Sequence, residues 1–505
     1  MPLPRLTLGD CRELLSRHGL LAGETGGPDS AARVSLVSCD SRVVVPGTLF
    51  LCKGAAFREE FLLTAERLGA AAYVSERPYD GAGIPALLVS DIRRAMALLA
   101  DAFYAHPSGE VPVVGITGTK GKTTTAFFLR SILDTWRSAA PCALLSTILT
   151  DDGVERFPSA LTTPEPLELQ RHLSNARESG RSAVVMEVSS QALKYHRTLG
   201  VDFACGVFLN IGEDHISPIE HPDFEDYFSS KLALFSQSRA AVCNLDCDHA
   251  QRIAAAAAVC PRVLTFSLRE ERADVFALSV TPGEKGTAVR VRTPDWTGEL
   301  LVPLPGLFNV ENALAAVAVC SLLGVPEDAV REGLARAGVP GRMEVLRSTD
   351  DQLIAVVDYS HNGMSLSAAL GALREEYPGR ELTVVFGCTG GKALDRRAGM
   401  AEAAARFADR ILLTEDDPGP ESVESICADI GAHLEAHGRT DYAVIPDREE
   451  AVAAALLRSK APAVVLLAGK GAERRQKRAE GDVPCIPDAD LAGEVLARYD
   501  RGGFL

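Results

Sequence analysis

A chain of 505 residues has room for about two to four domains, and its 47% hydrophobic and 24% charged content can fill several cores. Its net charge of −16, from 52 basic against 68 acidic side chains, excludes broad binding to nucleic acid or to a membrane surface, which needs basic patches. No run reaches the roughly 18 apolar residues of a membrane helix. Residues 1–10 carry no signal-peptide pattern, and the 12 cysteines are scattered without metal-finger spacing. A soluble, cytoplasmic protein with reduced thiols is expected.

Short apolar runs alternate with helical periodicity along most of the chain. The runs at 71–75, 86–90, 111–117, 183–188, 204–209, 240–244, 353–358, 382–387, 410–414 and 463–468 each have the length of a buried strand. That alternation predicts an α/β fold with parallel sheets. Residues 273–303 differ and read as small antiparallel strands. Turn-rich punctuation at 105–112 and 338–342 divides the chain into three domains, 1–107, 108–338 and 339–505.

Within the first part, Ser41 and Arg42 precede a Pro46-Gly47 turn and a strand, and offer donors to a polar or anionic ligand. The apolar run ending at Thr117 leads into Gly118-Thr119-Lys120-Gly121-Lys122-Thr123-Thr124 and a helix containing Phe127, Phe128 and Leu129. Glycines there let backbone N–H groups approach phosphate oxygens. The helix N-terminus adds its dipole, Lys122 a charge, and Thr123 a hydroxyl for magnesium. The spacing departs from the usual phosphate loop, because Ile116 stands at the place of the first glycine. ATP and Mg2+ are the expected ligands.

Thr162-Thr163-Pro164-Glu165 offers hydroxyls to a ligand, or equally an N-cap with proline in the first turn. A buried strand then ends in Glu187, followed by Ser189; a carboxylate at such a strand end can hold magnesium beside phosphates. Asn210, Asp214 and His215 follow, then Lys231 in an aromatic-rich segment, Asn309 and Asn312 at a helix start, and Arg342 after the second linker. Asp358-Tyr359-Ser360-His361 closes an apolar strand. Residues 386–392 form a glycine-rich loop, and Asp416-Asp417-Pro418-Gly419 and Gly469-Lys470-Gly471-Ala472-Glu473 end two further strands.

Taken in order, these motifs resemble the Mur ligase family over essentially the whole chain, nearest to the lysine-adding subgroup of its tripeptide-synthetase branch. The resemblance implies a small N-terminal α/β domain for a uridine nucleotide, a central P-loop-type parallel-sheet ATPase domain and a C-terminal Rossmann-like domain for an amino acid. It implies ATP binding by Gly118, Thr119, Lys120, Gly121, Lys122, Thr123, Thr124, Asn309, Arg342, Asp358 and His361. Ser41, Arg42, Thr162, Thr163, Ser189 and Arg197 would hold the UDP-linked substrate. Thr123, Glu187, His215 and a carbamylated Lys231 would ligate magnesium, and Lys122, Glu187, His215, Lys231 and Arg342 would be catalytic.

The implied reaction joins a free diamino acid to UDP-N-acetylmuramoyl-L-Ala-D-Glu through an acyl phosphate, in a monomer that binds neither nucleic acid nor membrane. The sequence departs from the family at Ser360 and Gly363, at Gly419 where diaminopimelate-adding members carry arginine, and at Ala472. Asp416, Asp417 and Glu473 would bind the amino acid, and the negative charge of Asp417 and Glu473 suits the side-chain ammonium of L-lysine better than the zwitterionic end of meso-diaminopimelate. L-Lysine is therefore favoured, with diaminopimelate left open. A Mur-like ligase for another carboxylate and a non-catalytic nucleotide-binding paralogue are the other readings. Residues 38–50 and Thr162–Glu165 speak against a folate substrate, while the joint presence of Lys122, Glu187, His215 and Lys231 speaks against a binding-only role.

Overall fold

The computed structural model describes residues 6–54, 56–213, 216–217, 220–391 and 394–502. The chain packs as two compact units, Met1–Asp274 with Val317–Val325, and Val275–Ala316 with Pro326–Leu505. Both are α/β.

The first unit contains two sheets. In one, the strands Leu36–Ser38, Thr48–Leu51, Ala72–Ser75 and Ala86–Val89 run parallel, and Leu21–Thr25 closes the edge antiparallel to Ala86–Val89. The helix Ile92–Phe103 is capped by Asp91, whose side chain accepts from the N–H groups of Arg93 and Arg94. Met96, Leu99 and Phe103 of that helix share a buried core with Leu49, Val74 and Leu87 of the sheet.

The other sheet positions the site. Its parallel strands lie in the order Arg262–Ser267, Ala240–Asn244, Phe203–Phe208, Val113–Thr117, Val184–Glu187 and Ala143–Leu145. Two short strands, Leu149–Asp151 and Arg156–Pro158, extend it antiparallel. Val113–Thr117 is buried throughout, which is why it reads as a continuous apolar run rather than an alternating one. Its neighbours are Phe203–Phe208 on one side and Val184–Glu187 on the other, so three adjacent parallel strands deliver their C-terminal ends to one place. Ligands of open α/β sheets bind outside such ends.

In the second unit, Val275–Thr281, Thr287–Arg292 and Thr297–Val302 form the antiparallel strands expected for 273–303. Thr287–Arg292 buries Val289 and Val291 and exposes Ala288 and Arg290, the period of a half-covered strand. A further sheet takes the order Glu344–Arg347, Leu353–Asp358, Ala463–Ala468, Glu381–Phe386, Arg410–Leu413 and Tyr442–Val444; only Glu344–Arg347 runs antiparallel to its neighbour. Among the described residues no helix is long and apolar enough to cross a membrane. None of the 12 cysteines is in a disulfide.

One carboxyl in this unit is conspicuously buried. Glu376 ends the helix Gly363–Glu376, is 5% exposed, and accepts the Gly306 N–H at 3.3 Å through Oε2, while Oε1 is buried without a partner. Burial pushes its pKa up to about 7 against the opposing pull of the Gly306 N–H and Arg347. Because the folded value lies above the unfolded one, this group's contribution to stability is full below the usual glutamate range and is lost as pH rises towards 7. The loss is on the order of 2–3 kcal/mol. Glu376→Gln, which cannot ionise, should therefore gain on the natural protein between pH 5 and pH 8 in denaturant titrations. A pH-independent difference would refute this.

Candidate functional site

Gly118 and Gly121 end the strand Val113–Thr117 and start the helix Lys122–Trp136. Gly121 is the helix N-cap with φ +87°, a conformation that costs an L side chain about 1 kcal/mol or more, which explains the glycine. The loop is clamped by the segment that follows Phe203–Phe208. Asn210 accepts the Lys120 N–H at 2.9 Å, donates to the Lys120 carbonyl at 3.1 Å, and through its own carbonyl accepts the Thr119 N–H at 3.1 Å. The Gly212 N–H donates to Thr119 Oγ1 at 3.1 Å. Lys122 folds back over the loop, donating to the carbonyls of Gly118 at 2.8 Å and Thr119 at 3.2 Å.

Thr123 Oγ1 donates to Glu187 Oε1 at 2.9 Å, joining the loop to the end of the adjacent strand. Glu187 is 1% exposed and also accepts from the Thr147 N–H at 2.8 Å and Thr147 Oγ1 at 3.1 Å. A buried hydroxyl and carboxylate meeting at the mouth of a glycine loop form a hard-oxygen donor set, the chemistry Mg2+ requires. The magnesium expectation for Thr123 and Glu187 thus fits these residues. The calls on Asp214, His215 and Lys392 lie outside the described residues.

Thr163 Oγ1 donates to the Glu187 carbonyl at 2.9 Å and accepts the Ser189 N–H at 3.0 Å, and Ser189 Oγ accepts the Ala192 N–H at 3.1 Å. Thr162 Oγ1 lies 3.1 Å from Thr147 Oγ1 and can donate to it, since the Thr147 proton goes to Glu187. The Arg197 guanidinium donates to the Thr163 carbonyl at 3.1 Å and pairs with Glu165 at 2.8 Å. Glu165 also holds Lys53, which follows the strand Thr48–Leu51. Thr162, Thr163, Glu187, Ser189 and Arg197 are therefore brought together. Lys53 was not singled out in the sequence, because an isolated lysine after a strand carries no pattern.

Lys231, on the helix Phe224–Leu232, is 2% exposed and donates to the Gly118 carbonyl at 2.9 Å. Its ammonium lies 4.7 Å from the centroid of the Tyr227 ring, whose hydroxyl is 3.1 Å from Thr119 Oγ1. His221, wholly buried, joins this helix to the one that starts at Ser190: its ring nitrogens lie 2.6 Å from Asp226 Oδ2 and 3.0 Å from Ser190 Oγ. Sequence spacing gave no sign of that link.

Ser41 and Arg42 lie in a short helical turn of the first sheet, where Arg42 makes a bidentate pair with Asp40 at 2.9 and 2.8 Å. The pair holds the Asp40 carboxyl below its ordinary range. The guanidinium is thus engaged by its own loop.

In the second unit, Asp358 Oδ1 accepts the Met343 N–H at 2.8 Å, fixing the segment that carries Arg342. The Arg342 guanidinium lies 4.3 Å from the centroid of the Tyr359 ring, and His361 Nδ1 is 2.7 Å from the Tyr359 carbonyl. Asn309 is 2% exposed, donates to the Pro305 carbonyl at 2.7 Å and accepts from Asn312 at 3.2 Å, so the two asparagines brace the helix start. Asp416 and Asp417 follow the strand Arg410–Leu413, and Glu473 follows Ala463–Ala468. Burial pushes Asp416 up to about 6, against the lowering pull of Arg448 and Lys470. Neither Asp417 nor Glu473 stands alone: Lys470 Nζ lies 2.8 Å from Asp417 and 2.9 Å from Glu473, and Lys477 Nζ 3.1 Å from Asp417. Two buried arginines were missed, since arginines scattered along helices form no motif. Arg448 pairs with Asp488 at 2.7 and 2.6 Å, and Arg397 with Glu421 at 2.7 Å and Asp429 at 3.0 Å.

Residues 116–320 match the Mur ligase middle domain, and residues 341–471 the Mur ligase glutamate ligase domain. The chain is 41% identical to the UDP-N-acetylmuramoyl-L-alanyl-D-glutamate--L-lysine ligase of Enterococcus faecalis, over 91% of each chain. It is 36% identical to the UDP-N-acetylmuramyl-tripeptide synthetase of Lactobacillus delbrueckii subsp. bulgaricus, over 98% of this chain and 100% of that one. Among solved structures, a UDP-N-acetylmuramoyl-L-alanyl-D-glutamate--2,6-diaminopimelate ligase superposes with a TM-score of 0.68 at 28% identity, covering 92% of this chain and 95% of that one. With a phosphate loop joined to a strand-end carboxylate, and relatives this similar over nearly their full length, the chain belongs to the Mur ligase family.

Proposed function

We propose that the protein is an ATP-dependent ligase that joins L-lysine to the D-glutamyl residue of UDP-N-acetylmuramoyl-L-alanyl-D-glutamate, a step in peptidoglycan precursor synthesis. The observation that carries the ligase reading is the contact of Thr123 with Glu187 at the mouth of the glycine loop. On this reading it joins the loop that would cradle phosphates to oxygens that would hold a metal ion. The loop N–H groups and Lys122 bind the nucleotide phosphates, and Lys122 offsets charge on the γ-phosphoryl group as it passes to the substrate carboxylate. Thr163, Ser189 and Arg197 hold the UDP-linked substrate so that this carboxylate faces the phosphoryl group. The amine of the incoming amino acid then attacks the acyl phosphate, and phosphate leaves. Thr123 and Glu187, with a carbamylated Lys231, would hold Mg2+, which supplies charge neutralisation at the phosphates.

L-Lysine is favoured by charge. Three carboxyl groups, Asp416, Asp417 and Glu473, gather around two ammonium groups, Lys470 and Lys477, an excess of one acidic group. That complements a single side-chain ammonium. The 41% identity to an L-lysine ligase points the same way, against 28% to the solved diaminopimelate ligase. Phosphate release measured with ATP, the muramoyl dipeptide nucleotide and either amino acid tests the proposal. Turnover with L-lysine should exceed that with meso-diaminopimelate by about 100-fold, the scale on which a mismatched charge is rejected. Preference for diaminopimelate would overturn the lysine assignment, and no turnover with either would overturn the reaction.

A further inference from the structure

Lys470 is 2% exposed. A buried ammonium costs several kcal/mol unless its protons are all paired. Here three acceptors surround it: Asp417 Oδ1 at 2.8 Å, Glu473 Oε2 at 2.9 Å and the Arg475 carbonyl at 2.7 Å. Each carboxylate is gripped again on its far oxygen. Lys477 Nζ lies 3.1 Å from Asp417 Oδ2, and the Tyr359 hydroxyl donates to Glu473 Oε1 at 3.2 Å. The Tyr359 ring carries the Arg342 guanidinium on its face. Backbone contact reinforces this chain of side chains, since a Cβ on Gly341 would lie 2.2 Å from the Ala472 nitrogen. Gly341, at φ +64°, therefore lets the turn holding Lys470 lie directly against the segment holding Arg342.

We propose that Lys470 is a positioning and specificity-determining residue, which pins the carboxylates of Asp417 and Glu473 for the incoming amino acid and ties them through Tyr359 to Arg342. The assignment rests on the reading above that the amino acid binds at these carboxylates. Without Lys470 the two acids would share a half-buried space, and one must take a proton or swing away. The other charged groups around them cannot compensate: Arg448 is committed to Asp488, Asp416 adds negative charge, and Lys477 is largely exposed. Burial pushes Asp417 up, but Lys470 and Lys477 more than offset it and hold the carboxyl below its ordinary range.

Steady-state kinetics on Lys470→Met and Tyr359→Phe test the proposal. For Lys470→Met, KM for L-lysine should rise by about 10-fold or more and climb further as pH falls from 8 to 6.5, while KM for the muramoyl nucleotide stays within about twofold. Tyr359→Phe, which removes one hydroxyl and should fold in any case, should raise KM for lysine about threefold with the same selectivity. Lysine KM values within twofold of the natural protein in both variants would overturn the proposal, as would an equal loss for every substrate. Should Lys470→Met not fold, Tyr359→Phe decides alone. Carboxylate titration by carbon-13 NMR reads the pinning without any turnover: the Asp417 signal should titrate at higher pH in Tyr359→Phe/Lys470→Met or Lys470→Met than in the natural protein. An unmoved titration overturns the positioning role, whereas absence of lysine turnover in the natural protein indicts only the proposed reaction.

Discussion

Lys122→Ala is expected to lower turnover on the order of 1,000-fold, with the fold intact. The side chain sits in the first turn of the helix Lys122–Trp136 and is half-buried over the loop, donating to the Gly118 and Thr119 carbonyls. Alanine is the best helix former, so the helix itself loses little. What disappears is the charge that the helix start would place on the phosphates, in a partly buried setting where charge stabilisation is worth several kcal/mol. Phosphate release with all three substrates present, together with a thermal melt, checks this. Turnover within tenfold of the natural protein would mean the glycine loop is not the site of phosphoryl transfer.

The second large effect concerns Lys231. Its amine is buried against the Gly118 carbonyl and the face of Tyr227, at the base of the glycine loop. As an ammonium it would repel Mg2+; as the carbamate proposed above it would offer an anionic oxygen ligand instead. Removing carbon dioxide and bicarbonate at neutral pH should therefore depress activity reversibly. Lys231→Met, close in volume, should lose on the order of 100–1,000-fold and no longer respond to bicarbonate. A natural enzyme indifferent to bicarbonate, whose high-resolution map shows a free lysine, would remove the carbamate from the mechanism and leave Lys231 as a strut under the loop.

Much of the architecture was legible because burial and periodicity are local properties. Ala240–Asn244, Leu353–Asp358 and Ala463–Ala468 form where apolar runs of that length stand, and Thr287–Arg292 alternates in burial as its sequence alternates. Other strands had no such signal. Leu21–Thr25 is an edge strand with no fully buried residue, and Arg262–Ser267 opens on two exposed ones, so neither reads as apolar. Glu344–Arg347 is only partly buried along its length and joins its sheet antiparallel, which composition does not reveal.

The site divides along the same line. The glycine loop with Lys122 and Thr123 could be read directly, because a strand, two glycines and a helix start contiguous in sequence already specify a phosphate cradle. Glu187 could be named, but its meeting with Thr123 at 2.9 Å depends on which strands are neighbours, and the chain order does not show that Val184–Glu187 lies beside Val113–Thr117. The acidic segment at Asp416 and Asp417 was visible as charge. That Lys470, 53 residues away, neutralises Asp417 and grips Glu473 came only with the packed strand ends. Local chemistry, helix starts and apolar runs are set by neighbours in sequence. The partners of each charge are set by sheet order, because long-range packing alone brings separate strand ends into one low-dielectric place where an unpaired charge would be too costly to keep.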